Sequence, residues 1–319
     1  MESFKKRFLR ENRTWTDNIL LSYLLAYMWM NVGVLISIIT RIAKTCDLFT
    51  SDPDVATFMG TYSDFFGIWP AFIFAILIFK GNRPMMKLFL PDKKSRIFTG
   101  WAIGIAVGFV MNSINVVGSI LLGNLKLSFN AIEILPLIGF AFFVFIQSGA
   151  EEIIDRVFIY EKLRRRYKSP WVAVIGNAMF FMILHLGNDN LNIPSLLELF
   201  LWGVLFALVI LYFDNLWISM AIHASWNFTQ NILYGLPNSG IVSAYSVFKI
   251  DAAADDFFFD TGFGVEGSWG AVIVITIIIA ALIFKFRSYE RNDLWDGWVD
   301  PFAKKKDKKT NAAVEQTAQ

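Results

Sequence analysis

An all-α fold is what this sequence predicts: a polytopic membrane helix bundle of about eight transmembrane helices with both termini cytoplasmic. Three observations predict it. Composition is the first: 55% of the 319 residues are hydrophobic and 18% charged, with a mean hydropathy of +0.50, whereas a soluble domain carries about 25% charge. The second is clustering of the charges. Residues 18–40, 97–125, 169–188 and 215–248 hold no Asp, Glu, Lys or Arg, and each run reaches the roughly 20 apolar residues that cross a bilayer core as a helix. The third is that basic residues sort to one side of the alternating loops. Together these exclude an ordinary cytosolic enzyme, a secreted disulfide domain and a disordered chain. The lone cysteine, Cys46, rules out an intramolecular disulfide and a cysteine-based zinc site. Nucleic-acid binding has no support, because the basic residues sit where membrane flanks would put them.

Taken in order, the spans are about 18–40, 62–79, 97–122, 138–162, 170–188, 194–213, 215–235 and 268–286. The first is too long for a signal-peptide core and lacks a small-residue cleavage site, so it reads as a retained span. The third carries Gly100, Gly104 and Gly108, a four-residue stripe that lets another helix approach closely; packing within the bundle is the expected use, ahead of a dimer contact. Of the 29 Lys and Arg residues, 25 fall in the amino-terminal segment, 80–96, 156–168 and 285–319. The other four (Arg41, Lys44, Lys126, Lys249) lie in the alternate loops, which the positive-inside rule reads as the outer side of a multi-pass cell-membrane protein. The outer loop at 236–267 is acidic, with Asp251, Asp255, Asp256, Asp260 and Glu266. Domain organisation follows: a basic cytoplasmic segment at 1–16, one transmembrane domain at 17–290 with its functional core at 138–235, and a basic, disordered tail at 291–319. The tail's run of lysines around Asp307 is expected to lie near anionic headgroups and to act as a stop-transfer anchor. No repeat of 20–50 residues is present.

Some polar residues stand where a membrane should exclude them. Nothing ends the fourth span at Ala150, because Val157-Phe158-Ile159-Tyr160 continues it to Arg164-Arg165-Arg166. Measured back from Arg164, Glu151 then lies about 20 Å deep at a rise of about 1.5 Å per residue. His185, counted from Trp171, reaches about 20 Å, and His223 and Asn227, counted from Asp214, reach about 13 and 19 Å. Ionisable groups at such depth cost at least a few kcal/mol each on insertion scales and normally face the bundle interior in pairs. Glu152 and Arg156 share a helix face, as do Glu151 and Asp155. A buried ion-pair lock would explain Glu152 and Arg156 alone. It explains less well why both of the chain's histidines join the same layer. The sequence lacks Gly-x-Ser-x-Gly, His-Glu-x-x-His and an aspartate pair split between two spans. What remains is a glutamate acting as general base on water, with histidine, asparagine or a metal holding the oxyanion.

Glu151-Glu152-x-x-x-Arg156, Phe181-x-x-x-His185 and His223-x-x-x-Asn227, in this order on successive hydrophobic helices, resemble the three motifs of the CPBP family. That family comprises CAAX prenyl endopeptidases and bacterial bacteriocin-processing and immunity proteins. The resemblance covers residues 138–235 closely, and the Gly262–Ser268 stretch is loosely similar to bacterial members. It implies a glutamate-dependent intramembrane endopeptidase. Glu151 would be the base, His185 would help hold the attacking water, and His223 and Asn227 would stabilise the oxyanion. Glu152 and Arg156 would be a supporting ion pair, and Phe181 would be packing. The favoured reading requires no cofactor; a zinc-dependent version would draw on Glu151, His185 and His223, three ligands of suitable kind. Asp155 departs from the family, which carries an aromatic or apolar residue there. It is expected either to raise the basicity of Glu151 or to compete for Arg156. The implied partners are the bilayer and a peptide or membrane-protein substrate, cleaved near its carboxyl terminus in eukaryotic members; the depth of the site measured from the basic flanks adds the expectation of access from the cytoplasmic side. Two other classes stay open: a non-catalytic adaptor or immunity protein that keeps the motif for packing, and a transporter using the carboxylates as a proton relay. The transporter is disfavoured by the absence of repeat symmetry.

Overall fold

The computed structural model describes residues 8–10, 13–90, 95–286 and 294–295. Of the expected basic end segments, residues 1–7 and, apart from Leu294 and Trp295, the tail at 291–319 lie outside the described residues. The chain is a helix bundle: α1 (Ile19–Thr40), α2 (Pro53–Ser63), α3 (Ile68–Ile78), α4 (Ser95–Leu121), α5 (Ile134–Glu152), α6 (Glu161–Arg166), α7 (Pro170–Leu184), α8 (Ile193–Phe213), α9 (Leu216–Asn227) and α10 (Trp269–Phe286). Two π-helical segments extend it, Ile153–Tyr160 joining α5 to α6 and Phe228–Leu233 continuing α9. The one sheet among the described residues is an antiparallel pair, β1 (Leu125–Phe129) with β2 (Phe248–Ala253). Neither strand was expected from the sequence, where both segments read as outer loops.

Among the described residues, six helical runs are long and apolar enough to cross a membrane: 19–40, 53–78, 96–121, 134–166, 193–213 and 269–286. They match six of the eight expected spans, with the second starting at Pro53, where Asp52 accepts from the backbone N–H groups of Asp54 and Val55 and caps the helix. The other two are shorter. α7 has 15 residues and stops at Leu184, because Gly187-Asn188-Asp189-Asn190 is turn chemistry rather than helix. α9 has 12 residues before its π segment. Polar Asn227, Thr229, Gln230 and Asn231 occupy that stretch and are buried, so their partners lie inside the bundle rather than in lipid.

α4 and α9 meet across the glycine stripe. A Cβ on Gly104 would lie 2.5 Å from Ala221 Cβ and 2.7 Å from the Ile218 carbonyl oxygen. Gly100 lies against Asn215, and Gly108 against Ile222 and Ser225. The stripe serves intramolecular packing, as expected, and it brings α9 with His223 and Asn227 alongside α4. At one end of the bundle, Asp17, just ahead of α1, receives Arg165 Nε (2.7 Å), Arg165 Nη2 (2.6 Å) and Lys162 Nζ (3.1 Å). Arg165 also donates to Asn82 Oδ1 (3.0 Å). The arginine triple that ends the fourth span is therefore partly internal, with Arg165 buried. We refer to this end, which also carries the start of α4 and the α8–α9 turn, as the basic end.

Candidate active site

The long α5–π–α6 run carries the first group of polar residues, and it passes from α-helical to π-helical geometry directly after Glu152. The wider turn re-aims side chains, and π segments recur at functional sites for that reason. Glu152 is fully buried, with Oε2 3.2 Å from Arg156 Nε and Oε1 3.1 Å from His223 Nδ1. Asp155 Oδ2 stands 3.7 Å from Arg156 Nη1, so the extra carboxylate shares the guanidinium without displacing Glu152. Arg156 is sandwiched between the Phe181 and Phe206 rings, 4.8 Å from each centroid, a cation–π arrangement strengthened by desolvation. Phe181 thus packs on Arg156, and it also lines the cavity described below.

His223 stands between the two glutamates. Its Nδ1 faces Glu152 and its Nε2 lies 3.6 Å from Glu151 Oε2, beyond hydrogen-bond length. Phe206 stacks on its ring at 5.4 Å. Glu151 Oε1 accepts from Gln147 Nε2 (2.6 Å), whereas its Oε2 is buried with no hydrogen-bond partner among the described residues. A buried carboxylate oxygen without a donor is costly, and this oxygen is the one placed to accept a proton from a group in the cavity.

Asn227, the last α-helical residue of α9, donates through Nδ2 to Gln147 Oε1 (3.2 Å) and Ser148 Oγ (3.3 Å). Its Oδ1 accepts from Asn238 Nδ2 (3.3 Å), which also donates to Glu266 Oε1 (2.9 Å). Glu266 further receives Trp226 Nε1 (2.9 Å) and the Ser239 N–H and hydroxyl (2.8 Å each). Burial pushes the Glu266 carboxyl above its ordinary pKa, against the pull of the Ser239 and Trp226 donors. The consequence for Asn227 is orientation: with its oxygen committed to Asn238, its NH2 faces Gln147. Gln147, Asn238 and Glu266 were missed as site residues by sequence reasoning. Gln147 sits one turn before Glu151 and was legible as its i,i+4 neighbour. Glu266 was read only as one more outer-loop acid and is instead buried and fully bonded.

These residues surround one cavity of about 300 Å³, to which Glu151, His185, His223, Asn227, Asn238 and Glu266 all contribute. Glu152 and Arg156 lie behind the wall rather than in it. His185 caps the C-terminus of α7, with its Nδ1 2.8 Å from the Phe181 carbonyl oxygen, a contact that leaves Nε2 as its other polar atom. The five expected polar side chains other than His185 form two bonded groups, Arg156–Glu152–His223 and Glu151 with Asn227 through Gln147 and Ser148, which meet at the 3.6 Å approach of His223 Nε2 to Glu151 Oε2; His185 joins them only by sharing the cavity. The cavity extends to Asn188, Ser239 and Ile241, at the end of the bundle opposite the arginine triple, so the expected access from the side of the basic flanks does not match where it leads. Among the described residues no group of three His, Cys, Asp or Glu side chains is placed to hold a metal ion. Glu151, His185 and His223 are accordingly not gathered as three ligands around one point.

Residues 133–229 match the family model described as "Type II CAAX prenyl endopeptidase Rce1-like". That range holds all six expected site residues and coincides with the stretch on which the resemblance to the CPBP family rested. No curated protein and no solved structure matches the chain. Six apolar helices and the family match together point to a multi-pass membrane protein with a region similar to type II CAAX prenyl endopeptidases, a similarity that supports an intramembrane protease kind of function.

Proposed function

We propose that the chain is a glutamate-dependent intramembrane endopeptidase of the cell membrane that hydrolyses a peptide bond in a membrane-associated substrate. The observation that carries this reading is Glu151: one oxygen is fixed by Gln147, and the other is buried at a cavity wall without a donor, 3.6 Å from His223 Nε2. A water between Glu151 Oε2 and the His185 ring, which line the same cavity, gives its proton to Glu151 as its oxygen bonds to the scissile carbonyl carbon. His223 Nε2–H and Asn227 Nδ2–H, from neighbouring turns of α9, donate to the oxyanion that forms. Collapse of that intermediate breaks the C–N bond, and Glu151 returns the proton to the leaving amine. Donors preplaced in a water-poor site are worth a few kcal/mol each in the transition state. Glu152 and Arg156 position His223: the carboxylate on Nδ1 fixes the ring, and the stacked guanidinium fixes the carboxylate. With Glu152 accepting from Nδ1–H, the ring that donates to the oxyanion through Nε2 carries a proton on both nitrogens.

The test is Glu151→Gln in the full chain, which keeps the size and the Gln147 contact but removes the base. General-base catalysis contributes about 10²–10⁴-fold, so peptides released from membranes by the wild type, read by mass spectrometry, should fall by that factor in the variant while its thermal unfolding in detergent is unchanged. A variant with full biological effect would instead establish a non-catalytic adaptor that keeps the motif for packing.

A further inference from the structure

The cavity is walled by one end of the bundle only. Its loop residues are Asn188, between α7 and α8, and Asn238, Ser239, Ile241 and Glu266, between α9 and α10. No lining residue falls in 8–17, 79–96, 160–170 or 212–217, the segments that meet at the basic end. The two loops interlock into a rim: Asn188 Nδ2 donates to the Ser239 carbonyl (3.3 Å), and Asn192 Nδ2 donates to Asp260 Oδ2 (3.1 Å) and the Gly267 carbonyl (3.0 Å). Ile241, 59% exposed, carries the cavity to the surface there.

The short α7 explains how that rim reaches so deep. Its 15 residues span about 22 Å at the helical rise, against a hydrocarbon thickness of about 30 Å. Starting from the basic flank at Lys168, the chain therefore turns at His185 while still within membrane depth. Irregular backbone at such depth is tolerated where it is buried in protein or lines a cavity, and the 185–192 loop lines this one through His185 and Asn188. Charge then separates the two sides. Residues 185–192 and 234–268 hold one basic residue, Lys249, and six acidic ones (Asp189, Asp251, Asp255, Asp256, Asp260, Glu266). The opposite end carries the Arg and Lys clusters that mark a cytoplasmic face.

We infer that the cavity is reached from the extracytoplasmic side, and that its substrate is a polypeptide segment exposed on or translocated to that side rather than a cytoplasmic carboxyl terminus. The substrate class rests on the protease reading; the side of access does not. In a Cys46→Ala background, single reporters Ile241→Cys and Asp189→Cys at the rim and Lys87→Cys at the basic end are placed in the full chain. Intact spheroplasts are then treated with a membrane-impermeant biotin maleimide. The rim reporters should label before lysis and Lys87→Cys only after it, and the same pattern should hold when Glu151→Gln is added. The reverse order of labelling overturns the assignment. In parallel, peptide termini present in wild-type membranes and absent with Glu151→Gln should map to extracytoplasmic segments. Termini confined to cytoplasmic carboxyl ends would overturn the substrate class. External rim labelling with no Glu151-dependent termini would uphold the side of access and sink the proteolytic reading.

Discussion

Arg156 shows how tightly single side chains are committed at the buried site. It has no exposed surface, faces two carboxylates and is clasped by two aromatic rings. A lysine keeps the charge but has neither a planar face to stack nor an Nε placed against Glu152. Arg156→Lys is therefore expected to lower stability by about 2 kcal/mol or more, the scale of a desolvated cation–π contact, measured by thermal unfolding in detergent. It should also reduce peptide release, since Glu152 would no longer be held against His223; unchanged stability and release would remove the positioning role. The motif residues were legible at this scale because each is a polar group that a membrane would otherwise exclude, and because a known pattern joins them. Asn238 and Glu266 were not. Their importance depends on a loop folding back onto Asn227, about forty residues from Glu266 along the chain, and no local spacing encodes such a return.

At the scale of elements, α4 and α9 are set by the glycine stripe. Gly104→Ala would place a Cβ 2.5 Å from Ala221 Cβ and 2.7 Å from the Ile218 carbonyl, closer than atoms pack, so the helices must part. Overpacking of this kind costs about 1–3 kcal/mol, and the separation should carry His223 and Asn227 away from Glu151. A lowered unfolding temperature together with reduced peptide release is expected, partly restored when Ala221→Gly is added; a lowered temperature with full release would show that the site tolerates a displaced α9. The stripe's role was readable from three glycines at fixed spacing. The lengths of α7 and α9 were not, because hydropathy reports where apolar residues run and is blind to where the backbone leaves helical geometry. His185 illustrates the difference: its uncharged surroundings suited a continuing span, whereas turn residues two positions on make it a cap. The two π segments, each starting directly after a motif residue, were equally invisible, since one added residue per turn leaves composition unchanged.

For the whole molecule, the basic end gathers distant parts of the chain: Asp17 before α1, Asn82 after α3, Lys162 and Arg165 on α6, and Trp295 beyond α10. Trp295 lies under the Arg165 guanidinium at 4.8 Å and donates to Glu161 Oε2 at 2.8 Å. The positive-inside pattern identified this end from charge counts but not that Arg165 lies inside it, because a sum over loops does not reveal which cation turns inward to a buried acid. Asp17 is that acid. Burial alone would raise its carboxyl, but the bidentate Arg165 contact and Lys162 outweigh it and hold the pKa below the ordinary 3.8. A carboxyl lowered on folding contributes stability at pH values above its unfolded pKa, and that contribution disappears as pH falls through the folded value. Asp17→Asn removes the carboxylate that Lys162 and Arg165 both face, a loss on the scale of a broken buried pair, about 3–5 kcal/mol. The unfolding temperatures of wild type and Asp17→Asn should therefore be far apart at pH 7, stay so down to about pH 4, the unfolded aspartate value, and converge below it. A gap that persists unchanged into strong acid would mean that the carboxylate's charge is not what ties the start, middle and end of the chain together.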